Sequence, residues 1–528
     1  MFSAMNTEHQ AENQAENRVV TVGVGALSIA DVVAVARHGA KVELDPAALD
    51  EIAATRARVE ELAGDPTPVY GISTGFGALA QRHIPEDMRA ELQVSLVRSH
   101  AAGTGPEVED EVIRALMLLR LSTLCTGRTG VRPVVAETYA AVLNAHITPV
   151  VREYGSLGCS GDLAPLAHCA LTLIGEGECR VNQGPVVASA QALAAAGITP
   201  LVLREKEGLA LINGTDGMLG MLCLAIDDLH QAAKVADIAA AMSVEGLTGT
   251  LTVFDDDLQQ LRPHPGQAQS AANIRTVAAG SDILSAAAAE FKTKQVQDAY
   301  SVRCAPQVAG GFRDTLAHAK QVASWELAAA VDNPVVAPDG RVTSNGNFHG
   351  APVAYVLDFL AIVAADVASI SERRTDRFLD TARNRGLNAF LAHDPGVDSG
   401  HMIAQYAQAG IVHELKRNAT PASVDSIPSS AMQEDHVSMG WAAARKLRRS
   451  VDGLQRVLAI EVLTAARAVD MREGQAAPGT GAAVAAVRER VSGPGSDRFL
   501  APEIEQAVAL VKDGTLVTAV ERAVGELQ

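Results

Sequence analysis

Two long stretches without proline restrict the possible folds of this chain more than any other feature of its sequence. No proline occurs from Leu201 to Arg262 or from Ser429 to Ala477. At about 1.5 Å of rise per residue, the second stretch would span roughly 70 Å as one helix. Helices of that length need packing partners along their sides, because they are unstable alone. The sequence therefore predicts a mainly α fold built on a bundle of long helices.

Shorter elements are predicted in the N-terminal part of the chain. Residues 1–18 are polar and are expected to form a disordered tail, whereas the Val- and Gly-rich segment from Val19 to Leu44 favours short strands. The helical spacing of apolar residues predicts helices over Pro46–Ala63 and over about Pro106–Thr126.

Charge and cysteine content argue against several classes of function. The formal net charge of −18 disfavours a nucleic-acid or anionic-membrane partner. No apolar signal-peptide segment is found near the N-terminus, so we expect a soluble cytoplasmic protein with six reduced cysteines. The apolar segment Ala351–Ile370 contains two aspartates, which favours a buried helix over a membrane span. The cluster of His168, Cys169 and Cys179 fits no familiar metal site, so no metal is expected.

The segment Gly155-Ser-Leu-Gly-Cys-Ser-Gly-Asp-Leu-Ala-Pro-Leu166 carries the most specific chemistry in the chain. A Ser-Gly pair alone is typical of a glycine turn leading into a helix, here with Asp162 as its cap. The amide nitrogen of Gly161 can also approach the carbonyl carbon of Cys159, because glycine has no side chain. Ser160 can lose water to give an electrophilic methylidene group. Cyclisation of these three residues would produce a 4-methylidene-imidazole-5-one (MIO) ring.

This segment resembles the cofactor-forming loop of the aromatic amino acid lyase family, which comprises histidine, phenylalanine and tyrosine ammonia-lyases and related aminomutases. The commonest family triad is Ala-Ser-Gly, and Cys159 departs from it at a side chain that takes no part in ring closure. The resemblance extends from about Val19 to Val491 through five further segments. They are Tyr70-Gly-Ile-Ser-Thr-Gly-Phe-Gly77, Lys206–Thr215, Gln297–Gln307, Gly346–Gly350 and Ser423–His436.

The resemblance implies a fold, an assembly and a cofactor. The fold is a long-helix bundle of the ammonia-lyase or fumarase-aspartase-like type with a smaller N-terminal region. We expect residues 19–205 to form that region with the MIO loop, and residues 206–528 to form the bundle and the C-terminal helices, interlocked as one domain over about 19–491. The resemblance also implies a homotetramer with shared active sites and a self-made MIO, without an exogenous cofactor.

Elimination of ammonia from an amino acid requires a base for a weakly acidic β-proton and an electrophile that improves the amine as a leaving group. The resemblance implies that Tyr70 is this base, although tyrosine ordinarily titrates near a pKa of about 10. It also implies that Arg303 binds the substrate carboxylate. Tyr300 and Gln297 lie three and six residues earlier, so all three are expected on one helical face.

Further residues are assigned to the cofactor by the same resemblance. Asn213 and Gln307 are expected to hydrogen-bond the ring or the amine, and Phe348 is expected to pack beside the ring. The residue after Asn-Gly-Thr is often Gln in the family. Here it is Asp216, so no role is carried over to that position.

The stretch Ser95–Gly103 is expected to select the substrate ring. Family members that use tyrosine tend to have His-Leu where Ser99 and His100 stand, and those that use phenylalanine tend to have Phe-Leu. Ser-His resembles the histidine version, and a buried imidazole needs polar partners for its nitrogens. Glu414 matches the position that supplies a carboxylate to that ring, and Met402 is expected to line the same pocket. L-histidine, converted to trans-urocanate, is therefore the expected substrate.

Three alternatives remain open from the sequence. One is a lyase or aminomutase that acts on phenylalanine or tyrosine. A second is a lyase of the argininosuccinate or fumarate type, which is disfavoured because the GSSxMPxKxN loop is absent. The third is a catalytically silent structural oligomer, which is disfavoured because Tyr70, Ser160 and Arg303 are all present.

Overall fold

The computed structural model describes residues 18–64, 71–75, 82–294 and 297–528. The fold is mainly α, as the sequence predicts. The predicted tail lies outside the described residues except for Arg18, whose guanidinium pairs with Asp31 at 2.5 Å. The α-helices are Ile29–His38, Pro46–Ala63, Arg89–His100, Asp110–Cys125, Pro133–Asn144, Leu163–Leu173, Ser189–Ala195, Glu207–Ile212, Asp216–Gly246, Asp256–Gln260, Pro265–Ala278, Asp282–Lys294, Tyr300–Arg303, Ala305–Leu327, Ala351–Leu379, Met402–Asn418, Gly440–Asp470, Pro478–Arg490, Leu500–Lys512 and Thr515–Val524.

Capping residues at the N-termini of two early helices explain where these helices begin. The predicted helix Pro46–Ala63 is confirmed, and the Asp45 side chain caps it by accepting a hydrogen bond from Ala47 N at 3.0 Å. Helix Ile29–His38 starts with a capping box, in which Ser28 Oγ accepts from Asp31 N and the Asp31 carboxylate accepts from Ser28 N.

The strands of the described chain are short. Val19–Val22 pairs in parallel with Lys41–Leu44, which confirms the strands expected in that segment. The antiparallel pairs are Thr104–Glu107 with Arg152–Tyr154, Ile147–Pro149 with Glu178–Val181, Glu178–Val181 with Val187–Ala188, and Val335–Val336 with Val342–Thr343. The helix predicted from about Pro106 begins instead at Asp110, because residues 104–107 pair as a strand.

The chain divides into two compact units. The first contains the described residues up to Asp227, with Lys320–Leu357 and Pro421–Arg445, and the second contains Asp228–Ala319, Asp358–Thr420 and Lys446–Gln528. The division at residues 205 and 206 that we expect from the sequence stays a prediction.

The core of the first unit is organised around helix Asp110–Cys125, which is buried from Val112 to its end. Its Arg120 side chain is completely buried and donates hydrogen bonds to the carbonyl oxygens of Asn213 (2.7 Å) and Val331 (2.8 Å). A buried guanidinium with such partners satisfies main-chain groups that helix and strand ladders leave unpaired.

Each proline-free stretch contains one helix of 31 residues, Asp216–Gly246 and Gly440–Asp470, each about 46 Å long. The second stretch does not form one continuous helix, because residues 429–439 form turns and a β-bridge before the helix begins. Among the described residues, helix Ala351–Leu379 is long and apolar enough to cross a membrane by length and composition. However, 61% of its most apolar window is buried in the protein, and a core helix meets the same criteria.

Candidate active site

The predicted cofactor-forming triad lies in a turn that only glycine can complete. Gly161 adopts a left-handed φ of +72° and forms a bridge with Gly214. Asp162 N donates to Gly214 O at 2.7 Å. A Cβ atom on Gly161 would lie 1.9 Å from Gly214 O. The loop therefore enters helix Leu163–Leu173 as predicted, and its third triad position excludes any side chain.

Asp162 fixes the triad loop to the start of helix Asp216–Gly246. Its carboxylate is completely buried and accepts hydrogen bonds from Gly217 N (2.9 Å), Met218 N (2.8 Å) and Ser156 Oγ (2.9 Å). Burial raises the pKa of Asp162 to about 7, against the lowering effect of these hydrogen bonds. The Asp162 side chain makes no capping hydrogen bond to its own helix, so the cap expected there was wrong, because the carboxylate is taken up by the N-terminus of helix Asp216–Gly246.

Two later segments of the first unit close over the triad. Gly158 O accepts hydrogen bonds from Ser438 Oγ (2.8 Å) and Gly350 N (3.2 Å). Gly350 ends the predicted segment Gly346–Gly350, and this contact brings the segment of half-buried Phe348 to the triad loop. The position expected for Phe348 beside the cofactor agrees with this arrangement, and its role stays a prediction.

Glu434 lies directly against the triad side chains. Its carboxylate accepts hydrogen bonds from Cys159 Sγ (3.1 Å), Ser160 Oγ (3.2 Å) and Ser429 Oγ (2.9 Å). Cys159 is 6% exposed, and burial, followed by the charge of Glu434, raises the pKa of its thiol to about 12. The thiol is therefore protonated at neutral pH and acts as a hydrogen-bond donor.

His100 is the last residue of helix Arg89–His100 and is half-buried. Its Nδ1 lies 2.9 Å from Leu96 O and 3.1 Å from Ser99 Oγ. Burial lowers the pKa of His100, and the Leu96 carbonyl and the charge of Glu434 oppose this shift. Because a carbonyl can only accept, Nδ1 carries the proton of the neutral ring and Nε2 is left as an acceptor. Ser99 is exposed and hydrogen-bonds Leu96 O through its hydroxyl.

Asn213 follows helix Glu207–Ile212 and presents an unpaired oxygen. Its Nδ2 donates to Asn333 O at 2.9 Å, whereas its buried Oδ1 has no hydrogen-bond partner among the described residues. A buried acceptor without a donor costs about 1–3 kcal/mol, so this oxygen is suited to receive a bond from a ligand. Asp216 is buried 3.6 Å from Arg120. The aspartate that stands in place of the family glutamine therefore takes part in an internal ion pair with Arg120.

The second unit holds the predicted carboxylate-binding residues. Arg303 lies over the ring of Tyr300, with 4.7 Å between Cζ and the ring centroid, so these two side chains share one face as predicted. Gln297 precedes the helix, which begins at Tyr300, so the expectation of one helical face for all three was wrong. Arg303 Nε and Gln307 Oε1 are buried and have no hydrogen-bond partner among the described residues.

Helix Met402–Asn418 of the second unit carries the two other predicted substrate contacts. Met402 is half-buried at its first turn. Glu414 is 56% exposed and pairs with Arg417 at 3.0 Å. The role assigned to Glu414 in ring recognition stays a prediction.

Tyr70, the predicted base, lies outside the described residues. Residues 73–75 pair with residues 82–84, since Gly75 N donates to Arg82 O (2.9 Å) and Ile84 N donates to Ser73 O (3.0 Å). In the described part of the chain, no group of three or more His, Cys, Asp or Glu side chains is arranged to hold a metal ion.

A sequence profile described as aromatic amino acid lyase matches residues 27–489. The chain belongs to the aromatic amino acid lyase family. A histidine ammonia-lyase of Streptomyces avermitilis is 63% identical to it over 510 residues, which cover 96% of this chain and 99% of that protein. Among solved structures, a tyrosine aminomutase from Streptomyces globisporus matches with a TM-score of 0.91 and 38% identity, over 96% of this chain and all of that one. A histidine ammonia-lyase from Trypanosoma cruzi matches with a TM-score of 0.88 and 36% identity, over 96% of both chains.

In this aromatic amino acid lyase, sequence reasoning missed Glu434 and Ser429. Both lie in the segment Ser423–His436, which the sequence identifies as family-like without assigning a role to any of its residues. The acidic pair Glu434-Asp435 in a turn-forming segment was the available signal. It could not be interpreted alone, because the two residues are more than 270 positions from the triad in sequence.

Proposed function

We propose that this aromatic amino acid lyase eliminates ammonia from L-histidine and releases trans-urocanate. One observation carries the choice of substrate: Glu434 contacts Cys159 and Ser160 directly, and its charge also acts on the pKa of His100. A carboxylate and a neutral imidazole nitrogen are acceptors for ring N–H groups. Beside a phenyl ring they would be desolvated without compensation. The 63% identity to a histidine ammonia-lyase supports the same substrate.

The proposal includes an MIO ring formed by the chain itself. Gly161 N would bond to the carbonyl carbon of Cys159, and that oxygen would leave as water with the N–H hydrogens of Gly161 and Ser160. A second water would take the Ser160 hydroxyl and its Cα proton, leaving the methylidene double bond. The residues present fit this group, since Gly161 is held without space for a side chain and Asn213 Oδ1 is left unpaired.

Such a ring would supply an electrophile for the substrate amine, which would make the amine a better leaving group. Tyr70 is proposed to remove the β-proton, and Arg303 with Tyr300 to bind the carboxylate. Asn213, Gln307 and Phe348 are proposed to support the ring, with Gln297 and Met402 at the substrate.

We propose that the ring-recognising carboxylate is Glu434, although the resemblance had suggested Glu414. The test compares Glu434→Gln with Glu414→Gln as a matched control. We expect the first to lower kcat/KM for L-histidine by about 100-fold or more and the second to leave it nearly unchanged. Equal effects of both substitutions would contradict the assignment.

The decisive experiment incubates purified protein, without added cofactor, separately with L-histidine, L-phenylalanine and L-tyrosine. Ammonia and near-ultraviolet absorbance are followed, and β-amino acids are measured to detect an aminomutase. Urocanate from histidine alone is expected. Cinnamate or coumarate would keep the mechanism and overturn the substrate.

Ser160→Ala tests the cofactor separately from the substrate. Without the serine hydroxyl no dehydroalanine forms, so we expect turnover to be abolished while folding is retained. Intact mass should show the loss of two waters in the wild type only. Substantial residual activity in the variant would refute the MIO assignment.

We further propose a cytoplasmic homotetramer whose active sites combine residues of neighbouring subunits. Exposed aromatic and apolar side chains of the second unit, including Phe359 (46% exposed) and Tyr406 (63% exposed), are candidates for burial in such an assembly. Co-expression of Ser160→Ala with Arg303→Leu chains tests sharing, because mixed oligomers would regain sites with both wild-type residues. Absence of any regained activity would contradict shared sites.

A further inference from the structure

The two oxygens of the Glu434 carboxylate have different neighbours. Oε2 accepts hydrogen bonds from Ser429 Oγ (2.9 Å) and from Cys159 Sγ (3.1 Å), whereas Oε1 accepts from Ser160 Oγ (3.2 Å). The main chains of Ser429 and Glu434 also pair with each other, at 2.9 and 3.3 Å. Ser429 is therefore held in register with the carboxylate that it contacts.

Formation of the ring would change only one of these contacts. The Ser160 hydroxyl leaves as water, so Oε1 loses its donor. The side chains of Cys159 and Ser429 are not consumed, so both donors to Oε2 remain. The mature site would thus contain a carboxylate with one oxygen fixed and the other newly free.

We propose that Cys159 and Ser429 are positioning residues that together hold Oε2 of Glu434 and thereby direct Oε1 at an N–H of the substrate's imidazole ring. This inference rests on the proposed function. It gives Cys159 a role that the alanine of the commonest family triad cannot fill, because alanine has no donor.

Physical chemistry supports a modest but specific contribution from each donor. A hydrogen bond to an ionised acceptor is stronger than a neutral one and fixes direction as well as distance. The buried thiol stays protonated at neutral pH, so it donates over the whole working range. A carboxylate without these two donors would have to be ordered each time the substrate binds, which weakens binding.

The test uses Cys159→Ala, Ser429→Ala, the double variant, and Cys159→Ser, which retains a donor. Cys179→Ala is the matched control, since Cys179 is another buried thiol of the first unit, outside the proposed site. The readouts are KM and kcat for L-histidine and the inhibition constants of urocanate and cinnamate. Intact mass, with the loss of two waters, verifies ring formation in every variant.

We expect the double variant to raise KM for histidine and the inhibition constant of urocanate by about tenfold, with a smaller change in kcat. Inhibition by cinnamate should change less than about twofold, because a phenyl ring offers no N–H to Glu434. Cys159→Ser should recover most of the histidine and urocanate binding that Cys159→Ala loses, and Cys179→Ala should behave as wild type.

Two results would overturn the inference while leaving the proposed function intact. One is an unchanged inhibition constant of urocanate in the double variant. The other is an equal rise in the inhibition constants of urocanate and cinnamate, which would indicate a general disturbance of the pocket. Failure of the proposed function looks different. The wild type would then form no urocanate, or Glu434→Gln would weaken urocanate and cinnamate equally.

Discussion

Gly161 and Asp162 show how single residues shape the reactive loop. The left-handed φ of Gly161 places its amide beside Gly214, while the carboxylate of the next residue accepts hydrogen bonds from the first N–H groups of helix Asp216–Gly246. Main-chain N–H groups at a helix start attract negative charge, yet complete burial opposes ionisation of Asp162. The loop therefore combines a conformation restricted to glycine with a titratable anchor.

Gly161→Ala should prevent ring formation. An added Cβ would lie 1.9 Å from Gly214 O, and an L-residue at this φ is strained by about 1–2 kcal/mol before any clash. We expect loss of turnover and no loss of two waters by intact mass. A folded Gly161→Ala protein that has lost both waters would show that the loop tolerates a side chain at this position.

Asp162→Asn should flatten the pH dependence of stability. The pKa of Asp162 is about 7 in the folded protein against an ordinary value of 3.8. Between these values the unfolded chain releases its proton while the folded chain keeps it, so stability falls as pH rises. The contribution amounts to about 4 kcal/mol over the window, and asparagine removes it. The urea-unfolding midpoints of the wild type and of Asp162→Asn are measured at pH 4, 5.5 and 7. If the midpoints of the two proteins change equally with pH, the pKa shift is contradicted.

At the scale of elements, caps determine where helices begin and irregular segments determine what they present. The helix after Ser28 and the helix after Asp45 both start at side chains that accept main-chain N–H bonds. The segment 429–439 does not continue as a helix, and its turns place Glu434 and Ser438 against the triad loop. Regular structure provides the scaffold, and its interruptions provide the site.

Ser28→Ala should destabilise the protein by about 1 kcal/mol, because it removes the acceptor for Asp31 N in the capping box. The exposed Ser496→Ala serves as the matched control and should cost much less. Chemical unfolding at neutral pH measures both. A cost for Ser28→Ala no larger than that of the control would mean that the cap contributes little.

At the scale of the whole molecule, a buried ion pair joins the long helices inside the second unit. The Glu461 carboxylate is completely buried and accepts from Arg374 Nε and Nη2, from Ser243 Oγ (2.7 Å) and from Ser371 Oγ. These residues belong to three different long helices. Both serine hydroxyls and two guanidinium nitrogens of Arg374 donate to this one carboxylate, so it fixes the three helices in register.

Glu461→Leu should destabilise the protein by about 3–5 kcal/mol, because it leaves the charge of Arg374 buried without its partner. The double variant Arg374→Met/Glu461→Leu should regain a large part of this loss, since it removes both charges. Urea unfolding of the wild type, the two single variants and the double variant forms a complete cycle. Additive losses in the double variant would show that the pair is not coupled.

The sequence by itself determined the elements that depend on local chemistry. Proline spacing, capping residues and apolar periodicity predict the helical class and the bounds Pro46–Ala63, because each acts within a few residues. The triad could be identified from the sequence for the same reason, since ring closure involves three consecutive residues. A local pattern failed at Pro106, where pairing with residues 152–154 forms a strand ahead of the helix.

Only the tertiary structure decided which distant side chains meet the triad. Glu434 reaches Cys159 and Ser160 from a segment far along the chain, with Ser429 hydrogen-bonded to its carboxylate, and no periodicity encodes these contacts. Gln297 and Glu414 fit sequence patterns, but the structure places the first before its helix and the second beside Arg417. Burial and long-range hydrogen bonds are properties of the packed chain, so they select the partners of the triad only after folding has brought those segments together.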